Sequence, residues 1–179
     1  MKKLVITSLV ASFVVLAGIF YSTDVSAQTT TTEPTQTVRC TIAQARLNTR
    51  ITQVDKVKTA QTKVYNDLLA RVDLTITSAE AASYDVSDLT AARNTASEAI
   101  QAFTTKSSEY TTSLMGTKNL SCGESGGEFV SSLVSTRKVL TETRQANLAI
   151  KTAFRNDVVP ALQAYALWLK ENTTTQEDK

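Results

Sequence analysis

Between Arg39 and Lys170 the chain holds three long stretches in which apolar residues return every three or four positions, with two short interruptions. The first stretch carries Leu47, Ile51, Val54, Val57, Val64, Leu68, Val72 and Ile76. The second carries Leu89, Ala96, Ile100, Phe103, Ser107, Tyr110 and Leu114. The third carries Phe129, Leu133, Leu140, Ile150, Phe154, Val158, Leu162 and Tyr165. That spacing lines one face of a helix, not one face of a strand. Helix breakers are scarce, with five glycines and two prolines in 179 residues, so long helices are expected. Each stripe is one apolar face on an otherwise polar rod, which is not stable alone in water, so the faces must bury one another. Short connections make successive helices antiparallel neighbours. The sequence therefore predicts an all-α fold. It is an up-down-up antiparallel three-helix bundle over about 39–82, 86–119 and 126–170, with a kink at Pro160.

The interruptions carry their own signals. At Ser83-Tyr84-Asp85 the aspartate can cap the next helix, and Tyr84 and Leu89 occupy the two positions of a hydrophobic staple. Ser121 to Gly127 contains three glycines and reads as a loop. Thr41 with Gln44, and Ser125 with Glu128, have capping-box spacing.

The start of the chain reads as an export signal. Met1-Lys2-Lys3 is basic, Leu4 to Tyr21 is almost wholly apolar, and Val25-Ser26-Ala27 offers small residues for cleavage before Gln28. Residues 1–27 are thus expected to be a signal peptide. An uncleaved anchor is the alternative, because a run of about 18 apolar residues at 4–21 reaches the lower limit for spanning a bilayer. Either way the remainder is secreted or extracytoplasmic. Residues 28–38 read as a disordered Thr-rich linker and 171–179 as a disordered tail, leaving 39–170 for the bundle.

Two cysteines in an exported chain predict one disulfide, Cys40 to Cys122. In an antiparallel hairpin that pairing puts the fold-back at Ala81, close to the turn already chosen. The same register sets Val72 beside Leu89 or Thr90, Tyr65 beside Ala96, and Leu47 beside Leu114 or Met115. The apolar stripes meet when the cysteines meet, so two separate signals agree.

Much chemistry is excluded. There is no histidine, which removes Ser-His-Asp and Cys-His catalysis, imidazole metal sites and Glu-x-x-His di-iron centres. A bridged cysteine pair leaves no thiolate nucleophile or zinc ligand. Neither glycine-rich nucleotide loop is present. Asp55, Asp67, Asp73, Glu98, Glu109 and Glu142 fall on polar helix faces, mostly near Lys or Arg, and read as solvated surface. No enzyme activity, cofactor or metal is expected. A carboxylate-dependent hydrolase would need two close, buried acids.

Two features can carry binding. Arg39, Arg46, Arg50, Lys56, Lys58 and Lys63 make the first helix basic, and Arg137, Lys138, Arg144, Lys151 and Arg155 do the same for the third. If those faces adjoin, Arg46, Arg50, Lys58, Arg137 and Arg144 would attract an anionic polymer or acidic partner. Loss of Lys2, Lys3 and Asp24 with the leader lowers the net charge from +2 to +1, so the chain as a whole makes no general case for nucleic acid. No aromatic residues interleave the basic ones, as single strands would require. The second feature is Ala161 to Leu169, the most apolar stretch after the leader. It either caps the bundle near Tyr84 and Ile76 or projects Tyr165, Trp168 and Leu169 as contacts for a partner.

Three elements carry a resemblance: Tyr84-Asp85-Val86-Ser87-Asp88-Leu89, Leu120-Ser121-Cys122 with Gly126-Gly127-Glu128-Phe129, and Pro160 with the apolar run behind it. Together they resemble uncharacterised small secreted helical-bundle proteins of ultra-small, reduced-genome bacteria, over about residues 39–169. The resemblance implies a cell-envelope location and adds no activity. The expectation is a non-enzymatic extracytoplasmic binding or structural module, its partner an unknown protein or envelope polymer. A membrane contact arises only if the leader stays uncleaved. A chaperone-like holdase is the alternative, and it would need an exposed apolar groove.

Overall fold

The computed structural model describes residues 36–120 and 126–174. The predicted leader, most of the linker, Cys122 and Ser125 lie outside the described residues. Apart from the connection at 82–86 and residues 119–120 the described chain is helical, with no strand among the described residues. Helix α1 is Gln36–Ala81, α2 is Ser87–Lys118 and α3 is Gly126–Ala153. A π-helical turn, Phe154–Val158, joins α3 to α4, Val159–Thr174. Helix α1 begins at Gln36 because Gln36–Val38 contain no breaker, so these residues leave the predicted linker. Thr41 then falls within α1 rather than at its start. Helix α4 likewise continues to Thr174, taking residues 171–174 out of the predicted tail.

The α1–α2 turn is built by hydrogen bonds that a sequence pattern only hints at. Tyr84 N–H donates to Ala79 O at 3.0 Å and Ser83 N–H to Glu80 O at 2.9 Å. This is the Schellman pattern, which needs a left-handed residue at the position after the cap. Ser83 fills it with φ 63°. Tyr84 then reaches back to the Ala79 end of α1, and both belong to one apolar cluster with Leu89. Asp85 Oδ1 accepts the Ser87 N–H at 2.9 Å, so the expected cap is present, with α2 starting at Ser87.

Helices α1 and α2 are antiparallel, as are α2 and α3. Asp73 pairs with Arg93, Asp55 with Thr111, and Lys58 with Ser108. These pairs are level about Ser83, not Ala81, because the Schellman turn and the Asp85 cap occupy Ala82 to Val86. The register therefore sits further along α2 than the cysteine spacing alone suggests. Tyr65 meets Phe103 edge-on with ring centroids 6.3 Å apart, although Ala96 shares their cluster. Val72 and Leu89 fall in different clusters, whereas Leu47 and Leu114 share one as expected. Near the far end Gln44 Nε2 donates to Lys118 O at 3.1 Å and to Leu120 O at 2.6 Å. It does so in place of the expected capping-box role.

The core is three apolar clusters stacked along the bundle. One lies around Leu47, Tyr110, Leu114 and Phe129. A second contains Tyr65, Val72, Ile100, Phe103, Ile150 and Phe154, and the third closes the α1–α2 turn. Polar residues are buried along the same faces, including Gln61, Ser107, Thr111, Thr117, Thr136, Thr143 and Asn147. Hydroxyls pair across α2 and α3: Ser113 with Thr136 at 2.7 Å, and Thr117 with Ser132 at 2.6 Å. Tyr65 Oη donates to Asn147 Oδ1 at 2.8 Å, tying α1 to α3. Burial also pushes the Tyr65 phenol up from its ordinary pKa. Val64, expected in the stripe, is 37% exposed; Gln61 and Tyr65 take the buried positions.

Pro160 perturbs the chain upstream of itself. It has no N–H, and its ring crowds the carbonyl four residues back. Val159 N–H donates to Phe154 O, five residues earlier, and the helix widens into the π turn instead of ending. The irregularity thus falls at Phe154–Val158, before the proline rather than at it.

Candidate functional site

Helix α2 makes the close backbone approaches to α1 and α3, whereas α1 meets α3 through side chains. That geometry leaves a long seam between α1 and α3, and successive residues turn about 100° around a helix axis. Asp55, Lys58 and Asp73 mark the flank of α1 that faces α2. Leu47, Val72 and Ala79 mark its buried face. Arg46, Arg50 and Arg71 then lie on the opposite flank, toward α3. On α3, Ser132 and Glu142 mark the α2 side. Arg137, Arg144 and Lys151, each seven residues from the next, lie on the other flank, toward α1.

The seam therefore gathers six basic side chains. Arg50 is half-buried and the other five are exposed. Four of the residues singled out from sequence, Arg46, Arg50, Arg137 and Arg144, belong to it. Lys58 does not: it faces α2, 3.9 Å from Asp55 and 3.5 Å from Ser108. Arg71 and Lys151 complete the row. The signal for them was their flank position, which shows only once the α2-facing sides of α1 and α3 are fixed.

Acidic groups are engaged by other cations. Asp73 takes Arg93 in a two-pronged pair at 2.8 and 3.2 Å, which holds the guanidinium above its usual pKa. Lys106 bridges Glu109 at 2.8 Å and Glu142 at 3.1 Å, and both bonds raise its pKa. Asp67, one turn before Arg71, is taken by Lys63 at 2.7 Å. Among the described residues no acidic group pairs with any of the six seam cations.

The apolar segment after Pro160 folds over the α1–α2 turn. Tyr165 and Trp168 stack at 6.2 Å, and Tyr84 lies 5.0 and 5.3 Å from them. Tyr165 is buried, so its ring is not offered to a partner; Trp168 and Leu169 are half-buried. Burial also lifts the Tyr165 phenol above its ordinary pKa. Leu167, 62% exposed, points away from this cluster.

An open trough of about 610 Å³ runs along α2, lined by Thr104, Thr105, Ser108, Glu109, Thr112 and Ser113. Its hydroxyls surround one carboxylate already held by Lys106. Among the described residues no His, Cys, Asp and Glu cluster suits a metal ion, and no helix is long and apolar enough to cross a membrane. Compared with known proteins, the chain matches no family model, no curated protein and no solved structure.

Proposed function

We propose that the chain is a non-enzymatic binding module of the cell envelope that holds an anionic partner along the α1/α3 seam. The observation that supports this is charge segregation. Six cations on the α1 and α3 flanks form no ion pair among the described residues, while Asp55, Asp67, Asp73 and Glu142 are taken by Lys58, Lys63, Arg93 and Lys106. Clustered arginines favour carboxylate, sulfate or phosphate groups, which they grip in a forked geometry. The extracytoplasmic location rests on the leader pattern at residues 1–27.

A Cys40–Cys122 bridge belongs to the same reading. No cysteine is free among the described residues. Cys40 and Leu120 pack on one apolar cluster, and Gln44 grips the carbonyls of Lys118 and Leu120 just before the second cysteine. The start of α1 thus lies against the approach to Cys122. Mass spectrometry of native protein should find the two residues joined in one peptide pair.

Elution from a dextran-sulfate column tests the seam. The quadruple variant R46Q/R50Q/R137Q/R144Q should leave at clearly lower salt than the parent, while K58Q should not change. Equal elution of quadruple variant and parent would remove the reading.

A further inference from the structure

The shape of the charge row says more than its sign. From Arg46 to Arg71 the seam extends about 37 Å along α1, at 1.5 Å per residue. The Tyr65–Asn147 bond fixes the alignment of the parallel α1 and α3, and so sets Arg137, Arg144 and Lys151 between those two ends. The three α3 cations recur every seven residues, which is about 10 Å along the axis. In that alignment the cations follow in the order Arg46, Arg50, Arg137, Arg144, Lys151 and Arg71, an open track with no enclosed end. A compact anion would need convergent donors around one point, and the seam has none. A single nucleic-acid strand would be expected to stack on exposed rings. The described aromatic residues instead lie in the three core clusters, away from the track.

We infer that the seam holds one linear anionic glycopolymer, lying parallel to the helix axes and passing from α1 to α3 and back to α1. This rests on the reading of the seam as an anion-binding surface. The polymer's acidic groups, whether uronic carboxylates or bridging phosphodiesters, meet the six cations in turn, and Gln53 and Thr141 offer exposed polar groups beside them. A polymer bound this way gains affinity with each acidic group added, until its extended length equals that of the track. Beyond that length only the number of equivalent positions grows.

A length series tests it. Fluorescence titration of the full chain uses oligogalacturonates from dimer to dodecamer, poly(glycerol phosphate), inorganic phosphate, single-stranded DNA and poly-L-glutamate. Affinity should rise at least tenfold from the dimer to the oligomer that spans the track, then level off. Whichever of galacturonate and poly(glycerol phosphate) binds more tightly names the acidic group. The salt slope should fall by roughly one unit for each of R137Q, R144Q and K151Q, as expected for lost ionic contacts. A spacing variant, R144Q/T141R, keeps the net charge and should weaken the longest oligomer severalfold while leaving the dimer unchanged. If dimer and dodecamer bind alike, the linear-track inference is lost and the anion-binding reading stands. Tighter binding of DNA or poly-L-glutamate than of either glycopolymer overturns the inference in favour of that polymer. If no polyanion binds, both readings fall.

Discussion

Ser83 is a residue in the wrong chemistry for its place. Its φ of 63° lies in the left-handed region, where a Cβ crowds the following carbonyl and glycine suffers no such clash. Ser83→Gly should therefore stabilise the fold by about 0.5–1 kcal/mol, read as a shift in the urea midpoint with an unchanged slope. Ser83→Val should move it the other way. Two positions on, Asp85 holds the start of α2 through the Ser87 N–H, and that bond lowers its carboxyl pKa below the ordinary value. A carboxyl depressed by folding contributes stability above its unfolded pKa of about 4 and loses it as pH falls through the lower folded value. Asp85→Asn should flatten the acid limb of the stability curve, and the gap between parent and variant should close once Asp85 of the parent is protonated. An unchanged acid limb would mean that the cap contributes nothing. The cap and the staple were legible in Tyr84-Asp85 and Leu89; the left-handed serine was not, because glycine is the usual marker of that conformation.

At the scale of an element, α1 is a heptad rod with a polar fault at its centre. Gln61 is 5% exposed, and its Oε1, like Thr62 Oγ1, has no hydrogen-bond partner. A buried carbonyl left unpaired costs about 1–3 kcal/mol. Gln61→Leu should raise stability by about 1–2 kcal/mol, since it removes the unpaired group and keeps the volume. Tyr65→Phe should cost a similar amount by stripping Asn147 Oδ1 of its donor. Paired melts of the two variants check both signs at once. The sequence pattern placed Val64 in the stripe because it is the apolar residue at the next permitted step. The folded helix turned Gln61 and Tyr65 inward instead, since Tyr65 has both Phe103 and Asn147 to meet. Periodicity identifies a face to within one residue, and the partner decides between neighbours. Every member of the predicted α2 stripe is buried, and Ala92, Thr111 and Thr117 are buried beside it.

For the whole molecule, stability leans on packing and on the proposed bridge rather than on surface charge. The ion pairs are exposed or partly so, and such pairs contribute little to stability. Raising salt to 0.5 M should therefore leave the melting temperature nearly unchanged. Reduction should lower stability by roughly 4 kcal/mol if a loop of about 80 residues is being closed. Circular dichroism with and without reductant separates the two effects. Helix count and pairing order were legible because stripe period and breaker position are local. The seam was not, because it depends on how two helices distant in sequence turn toward each other. The π turn has a consequence for the end of the chain. It lodges one surplus residue in the rod, and so sets the rotational phase at which α4 arrives over the α1–α2 turn. Deleting Asn156 should spin the tail by about 100°. Trp168 would then swing off Tyr84 into water, seen as red-shifted emission, while the rest of the bundle keeps its melt.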